Sequence, residues 1–243
     1  MARFILIPGA MHGGWCWEKV VPFLEAAGHE VLAPDLPGTN DDPTPFSDDI
    51  LAQWADFVAD LARKGREPAI LVGHSRAGVI ISEAAERAPE AVRRLVGVAA
   101  ILAPDGMSVN DCAALEGADE PQETDEAPKM SVGPDGLSAI VPEEYRHGVF
   151  YHLAPADDVP AISARLRPEP LQPLGRPVRL TAARFGSVPR AYILAEHDRA
   201  ISAGLQRMMI ELTPCDPVIV LPSDHSPFYS MPERLARELI ALA

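Results

Sequence analysis

The chain has 243 residues, of which 47% are hydrophobic and 23% are charged, a composition typical of a soluble globular protein. Its formal net charge is -14, from 35 acidic and 21 basic residues, so neither a nucleic acid nor an anionic membrane is expected as a partner. This length allows one domain or two, and we expect one domain with an insertion.

The first residues carry no signal for export or membrane insertion. The apolar run Phe4–Ile7 is followed at once by Pro8 and Gly9, which makes it too short for a signal peptide or a membrane span. We therefore expect a cytoplasmic protein. The cysteines are far apart and match no metal-binding or CxxC spacing, so neither a disulfide nor a zinc site is predicted.

Short runs rich in Val, Ile and Leu alternate with longer amphipathic stretches along much of the chain. This alternation is typical of βα units around a parallel sheet that is buried on both faces. We predict six strands, near Phe4–Ile7, Glu30–Ala33, Ala69–Val72, Leu95–Ala100, Ala191–Ala195 and Pro217–Leu221. Helices are predicted near Trp17–Ala27, Asp48–Arg63, Arg76–Arg87, Ser202–Leu212 and Met231–Leu242. The predicted fold class is α/β, with a mostly parallel six-stranded sheet flanked by helices.

The start of the last predicted helix has the clearest boundary signal. Ser230 can act as an N-cap, Pro232 suits the first turn, and Glu233 occupies the capping-box position. We therefore predict that the helix begins directly after Ser230.

The alternation stops between Pro104 and Pro189, where Pro, Gly, Asp and Glu become frequent. A structureless loop of this length would be unusual in a compact domain. We therefore predict an inserted cap or lid over residues 104–189, after the fourth strand, within a core formed by residues 1–103 and 190–243. Short helices should make up most of the lid, with pieces near Pro142–Tyr145 and Pro160–Leu166.

Ser75 lies where a predicted strand passes directly into a predicted helix. The run Gly73-His74-Ser75-Arg76-Ala77-Gly78 matches a nucleophile elbow, a sharp turn that exposes a serine hydroxyl in a strained conformation. Gly73 and Ala77 are the small residues that such a turn needs on either side, with alanine in place of the usual second glycine. We predict that Ser75 is a catalytic nucleophile; the alternative is a helix N-cap serine.

A serine hydroxyl is a poor nucleophile until a base takes its proton, so the hypothesis requires a histidine oriented by a carboxylate. His225 lies in the loop after the last predicted strand, and Asp198 follows the strand before it, at the sheet edge where active sites are built. We predict that they are the base and the acid. Glu196 and Asp105 remain rivals for the acid, and His225 has the alternative of a surface-loop histidine.

The tetrahedral intermediate of such a reaction needs two hydrogen-bond donors for its oxyanion, usually backbone N–H groups. One should come from Arg76, directly after the nucleophile. The other should come from the loop after the first strand, where Ala10 is the best candidate. Glycines in this loop also have a plain role as turn formers. No metal or organic cofactor is implied.

Five stretches of the chain share motifs with a known family: Gly9–Trp17, Leu24–His29, Pro34–Gly38, Gly73–Ser75 and Asp224–His225. In these stretches the sequence resembles the α/β-hydrolase superfamily, and within it the branch of plant methylesterases, hydroxynitrile lyases and their bacterial relatives. The resemblance covers most of residues 3–104 and 190–243 and is weak between them. It implies a triad of Ser75, His225 and Asp198, with Ala10 and Arg76 as oxyanion donors.

Some departures from this branch bear on the reaction. Its hydroxynitrile lyases have a threonine in the first loop and a lysine after the catalytic histidine, where this chain has Gly9 and Ser226. Hydrolysis is therefore favoured, and the resemblance implies a serine carboxylesterase that acts on a small or medium-sized ester through an acyl-enzyme.

Arg76 is another departure from this branch, because it places a large cation directly after the nucleophile. We expect it to form a salt bridge on the helix surface rather than to meet a substrate carboxylate.

Two other functions stay open. One is a hydroxynitrile-lyase-like or other non-hydrolytic enzyme on the same scaffold, and the other is a ligand-binding protein with vestigial hydrolysis. A lactone or thioester substrate falls within the hydrolytic hypothesis. The expected partner is a small-molecule ester, and the oligomeric state is open, a homodimer included.

Overall fold

The computed structural model describes residues 1–115, 130–134 and 136–243. Its strands, numbered along the chain, are β1 (Arg3–Ile7), β2 (Glu30–Leu32), β3 (Ala69–His74), β4 (Val92–Val98), β5 (Ser131–Val132), β6 (Ser138–Ile140), β7 (Glu169–Pro170), β8 (Arg190–Ala195) and β9 (Val218–Leu221). A parallel six-stranded sheet has the order β2-β1-β3-β4-β8-β9, and β5, β6 and β7 form a small antiparallel sheet. The predicted fold class is confirmed.

Helices pack on both faces of the large sheet. The α-helices of the described residues are α1 (Val21–Ala26), α2 (Ile50–Arg63), α3 (Ala77–Arg87), α4 (Val109–Ala113), α5 (Glu143–Phe150), α6 (Val159–Ser163), α7 (Gln172–Gly175), α8 (Ala203–Leu212), α9 (Pro227–Ser230) and α10 (Pro232–Ala241). Helices α2, α3 and α8 share one apolar core, while α1, α5 and α10 share the other. Within the described ranges no helix combines the length and the apolar character that crossing a bilayer requires.

The central strands β1 and β3 are buried along their whole length. Because helices pack on both faces, these strands appear in the sequence as continuous apolar runs instead of an alternating pattern. Ile7 at the end of β1 lies in register with Gly73 near the end of β3. The loop after β1 therefore begins beside the turn that follows β3, at the carboxyl edge of the sheet.

Some predicted boundaries differ from the observed ones. Strand β4 ends at Val98, before Ala99, whose φ of 44° lies outside the strand region. The helix predicted from Trp17 begins only at Val21, after a 3-10 turn over Gly14–Trp17. The reason is Pro22, which fits the first turn of a helix but would interrupt the interior of one that began at Trp17.

The predicted cap of the last helix is wrong. The N-cap of α10 is Met231, without a side-chain hydrogen bond, and Ser230 closes the short helix α9. The Ser230 hydroxyl donates to Asp224 Oδ1 at 2.8 Å. Ser230 therefore belongs to the preceding helix, and its hydroxyl is oriented toward Asp224, six residues earlier.

The segment between β4 and β8 contains the two predicted helical pieces, as α5 and α6. It also contains the small sheet of β5, β6 and β7, which the sequence analysis did not predict. Residues 116–129 and 135 of the predicted lid lie outside the described residues. The division into a core of residues 1–103 and 190–243 and a lid of residues 104–189 remains a prediction.

Candidate active site

Ser75 connects β3 to α3 through a backbone of unusual shape. Its φ is 53°, in the left-handed region that costs a non-glycine residue about 1–3 kcal/mol and is common at active sites. The turn is held by the Ser75 carbonyl, which accepts from the N–H groups of Gly78 at 3.1 Å and Ile101 at 2.9 Å. The N-cap position of α3 belongs to Arg76. Ser75 is therefore not an N-cap serine, which was the alternative interpretation.

Two glycines allow this turn to form. A Cβ on Gly73 would lie 2.8 Å from the carbonyl oxygen of Ala77, and one on Gly78 would lie 2.1 Å from that of Ile101. Ala77, at the position of the usual second glycine, is buried without such a conflict. Gly78 thus makes the close backbone approach on the far side of Ser75.

His225 and Asp198 are brought together although they are 27 residues apart. His225 Nδ1 lies 2.7 Å from Asp198 Oδ2. A carboxylate can only accept, so Nδ1 carries the proton and Nε2 is left as the basic nitrogen. With 1% of its surface exposed, His225 is not the surface-loop histidine of the alternative interpretation.

The Asp198 carboxylate has further donors that fix its position. Its Oδ1 accepts from the N–H groups of Ala200 at 2.7 Å and Ile201 at 2.9 Å. The rival acids lie elsewhere, since Glu196 is exposed and Asp105 accepts from the Leu180 N–H at 2.8 Å. The geometry therefore favours Asp198 as the partner of His225.

Gln206, a residue that sequence reasoning missed, supports this carboxylate from α8. Its fully buried Nε2 lies 3.4 Å from Asp198 Oδ2 and 2.7 Å from the Ile201 carbonyl. The same amide exchanges two hydrogen bonds of 3.1 Å with the backbone of Ala195, at the end of β8. A glutamine on the buried face of a predicted amphipathic helix was the available signal.

Two further buried histidines stay uncharged near this pair, His74 beside His225 and His12 beside His74. Burial lowers the pKa of His12 from 6.5 to about 3 and that of His74 well below its usual value. His74 Nε2 donates to the His225 carbonyl at 2.8 Å, which joins the residue before Ser75 to the loop of the base. Because both rings are neutral, they do not oppose a positive charge on His225.

The loop after β1 lies against the nucleophile. A Cβ on Gly9 would lie 2.8 Å from Ser75 Cβ, which places this loop directly above the turn. In the described part of the chain, the N–H groups of Ala10 and Arg76 donate to no protein acceptor. Both are therefore available to an oxygen atom of a ligand, and the Arg76 N–H also lies at the positive end of α3.

The side chain of Arg76 forms an ion pair, but its predicted location on the helix surface is wrong. It is 2% exposed, and its Nε lies 2.7 Å from Oε1 of Glu169 in β7. The guanidinium also lies over the ring of Trp54, at 4.4 Å from the centroid. Glu169 is 93 residues from Arg76, so no local pattern could have identified it as the partner.

Asp224, directly before His225, is a second carboxylate that the sequence analysis did not assign. It is fully buried and accepts from the Leu153 N–H at 2.9 Å through Oδ2. Its Oδ1 accepts from Ser226 N–H at 3.2 Å and from the Ser230 hydroxyl at 2.8 Å. The Leu153 contact holds the His225 loop on the segment between α5 and α6.

Among the described residues, no group of three His, Cys, Asp or Glu side chains could hold a metal ion.

Comparisons with known proteins agree with this architecture. Residues 4–238 match the model of the alpha/beta hydrolase family. Methylesterase 2 of Arabidopsis thaliana is 32% identical over 99% of this chain and 95% of its own. The pyrethroid hydrolase of Sphingobium wenxiniae is 34% identical over 98% of this chain and 86% of its own.

The crystal structure of a pyrethroid hydrolase from Sphingobium faniae is also similar, with a TM-score of 0.86 and 32% identity. The match covers 99% of this chain and 96% of that one. The predicted resemblance to the methylesterase branch is confirmed by these relatives. The chain belongs to the alpha/beta hydrolase family.

Proposed function

We propose that the chain is a serine carboxylesterase that hydrolyses a small or medium-sized ester through an acyl-enzyme on Ser75. The observation that carries the proposal is the 2.7 Å contact of His225 Nδ1 with Asp198 Oδ2, at the sheet edge where Ser75 occupies a left-handed turn. The similar proteins named methylesterase and pyrethroid hydrolase support ester hydrolysis.

In this mechanism Ser75 Oγ attacks the ester carbonyl carbon while His225 Nε2 takes its proton. Asp198 keeps the imidazole in the reactive tautomer and stabilises its charged form. The N–H groups of Ala10 and Arg76 donate to the oxyanion of the tetrahedral intermediate. When the intermediate collapses, the alcohol leaves with the proton held by His225. Water, activated by the same imidazole, then hydrolyses the acyl-enzyme and restores Ser75.

Two positions favour hydrolysis over lyase chemistry. Gly9 stands where hydroxynitrile lyases of this branch have threonine. A Cβ there would lie 2.6 Å from His74 Nδ1 and 2.8 Å from Ser75 Cβ, so a threonine would require both to move. Ser226 follows His225 where those lyases have lysine, and it is fully buried. Neither group that those enzymes use for cyanide is therefore present at its position.

The test is the turnover of short p-nitrophenyl esters by the wild type and Ser75→Ala. We expect the substitution to lower kcat by about 10⁴-fold, because a triad acts as a unit. The matched control is Ser82→Ala on α3, a buried serine whose hydroxyl donates to the Gly78 carbonyl at 2.8 Å. It should keep wild-type turnover. Equal rates in wild type and Ser75→Ala would contradict the proposal, and cyanide release from a cyanohydrin without ester turnover would indicate a lyase.

A further inference from the structure

The guanidinium of Arg76 is attached to the peptide unit that presents the Ala10 N–H. Arg76 Nη2 donates to the Gly9 carbonyl at 3.1 Å. The Gly9 carbonyl and the Ala10 N–H belong to one planar trans peptide and point in opposite directions. Fixing the carbonyl therefore fixes the direction of the N–H. Donation to the carbonyl also polarises the peptide and strengthens its N–H as a donor.

The next peptide unit, between Ala10 and Met11, is held at both of its polar groups. Glu169 Oε2 accepts from the Met11 N–H at 3.0 Å. His12 Nδ1 donates to the Ala10 carbonyl at 2.7 Å. Met11 has a φ of 65°, a conformation that persists in a non-glycine residue only where the surroundings enforce it.

The ion pair between Arg76 and Glu169 connects the two side chains that hold these neighbouring peptide units. Their side chains meet at 2.7 Å between Nε and Oε1, and both are 2% exposed. Resting on the proposed function, we propose that the Arg76–Glu169 pair positions the oxyanion hole. Arg76 supplies one donor from its own backbone, and its side chain, with Glu169, orients the other donor on Ala10.

A buried ion pair is in itself weak evidence of a contribution to fold stability. Burial lowers the pKa of Arg76 and raises that of Glu169, so the protein interior works against both charges. Replacing a buried ion pair of this kind with apolar side chains is often neutral or stabilising. The pair instead contacts the loop that carries the proposed Ala10 donor, through Arg76 at the Gly9 carbonyl and Glu169 at the Met11 N–H.

The first test is Arg76→Met, which keeps the backbone N–H and removes the guanidinium. Loss of a complete oxyanion donor lowers kcat by about 10²–10³-fold, so loss of its positioning should lower kcat by about 10–100-fold. KM should stay within about twofold, since the Ala10 N–H acts chiefly on the transition state. Glu169→Gln keeps the shape and an acceptor for the Met11 N–H, and it should lower kcat by about 10-fold.

Two ketone inhibitors distinguish a loss of positioning of the Ala10 N–H from a general loss of binding at the site. Ser75 Oγ adds to the carbonyl carbon of a trifluoromethyl ketone while the serine proton moves to His225, and the former carbonyl oxygen becomes an alkoxide in the oxyanion hole. The parent methyl ketone forms no stable adduct and reports on ground-state binding. In Arg76→Met the affinity for the fluorinated ketone should fall by the same factor as kcat/KM. The affinity for the methyl ketone should not change.

Glu83→Gln is the matched control. Glu83 lies in α3, is 1% exposed, and pairs with Arg87 Nη1 at 2.7 Å and with Arg176 Nη1. It should change stability and leave kcat within about twofold, as expected for a group outside the reaction site. If Arg76→Met and Glu169→Gln lower kcat no more than Glu83→Gln does, the positioning role is overturned. Equal loss of affinity for both ketones also overturns it.

These results are distinct from failure of the proposed function. Ser75-dependent turnover in the wild type keeps the esterase proposal whatever the Arg76 and Glu169 variants do. A wild type without Ser75-dependent turnover would overturn both. If Arg76→Met does not fold, Glu169→Gln decides the matter, because unchanged kcat and unchanged affinity for the fluorinated ketone would contradict the inference.

Discussion

The carboxylate of Asp224 accepts the N–H of Leu153 at 2.9 Å, and this bond ties the loop of His225 to the segment between α5 and α6. The two residues are 71 positions apart in the chain. The position of the proposed base therefore depends on a segment outside the strands and helices that carry Ser75 and Asp198.

Asp224→Asn should weaken both the fold and the activity. Every recorded partner of the carboxylate is a donor, from Leu153, Ser226 and Ser230, and an amide nitrogen would oppose at least one of them. A buried donor left without its acceptor costs about 1–3 kcal/mol. Urea unfolding should show this loss of stability, and an activity assay should show a lower kcat.

The control is Asp60→Asn, at an exposed member of a surface ion pair, which should change the free energy of unfolding by less than about 0.5 kcal/mol. Equal effects of the two substitutions would contradict the structural role of Asp224.

Stability should fall as the pH drops below 6.5 because His12 is buried in its neutral form. Its pKa is lowered from 6.5 to about 3, so between these values the unfolded chain binds a proton that the folded chain does not. This difference makes the free energy of unfolding decrease by about 1.4 kcal/mol per pH unit from this one residue.

The measurement is urea unfolding at pH 7, 6 and 5 for the wild type and His12→Asn. The wild type should lose more stability on acidification than the variant does. His74 and the carboxylates contribute to both proteins, so the difference between the two slopes isolates His12. Parallel slopes would show that His12 is not buried as described.

Gly9→Ala should remove most of the activity. The new Cβ would lie 2.6 Å from His74 Nδ1 and 2.8 Å from Ser75 Cβ, so either the turn or the loop must shift. Misplacement of about 1 Å at a reaction site costs about 10²-fold in rate, and kcat/KM should fall by at least that factor.

Gly148→Ala, in α5, is the control, since a Cβ there meets nothing within 4 Å. It should keep full turnover and raise stability by about 0.5–1 kcal/mol. Full turnover in Gly9→Ala would contradict the placement of the loop.

The parts of the site that follow strands could be predicted from the sequence. Parallel strands buried on both faces appear as apolar runs, and a residue directly after such a run lies at the carboxyl edge of the sheet. Ser75, Asp198 and His225 each lie within a few residues of the end of a parallel strand, so the strand pattern together with the nucleophile-elbow motif points to them. The structure adds the contact between His225 Nδ1 and Asp198 Oδ2.

The supporting groups could not be predicted, because their partners are distant in the chain. Glu169 and Asp224 bind groups 93 and 71 residues away, and no local pattern records which distant segments meet. For the same reason the sequence predicts the Arg76 side chain on the helix surface, whereas it is buried against Glu169. At Ser230 a capping motif is present, but the residue closes α9 and its hydroxyl donates to Asp224, six residues earlier. Sequence patterns over a few residues therefore did not predict the contacts between distant segments that support the site.

Trapping the acyl-enzyme tests most directly whether Ser75 is the nucleophile. The wild type would be mixed with a short p-nitrophenyl ester, quenched in acid within the first turnover, digested and examined by mass spectrometry. We expect the acyl mass on the peptide that contains Ser75, and no acyl mass there in Ser75→Ala. An acyl group on another residue, with undiminished turnover in Ser75→Ala, would contradict this role of Ser75.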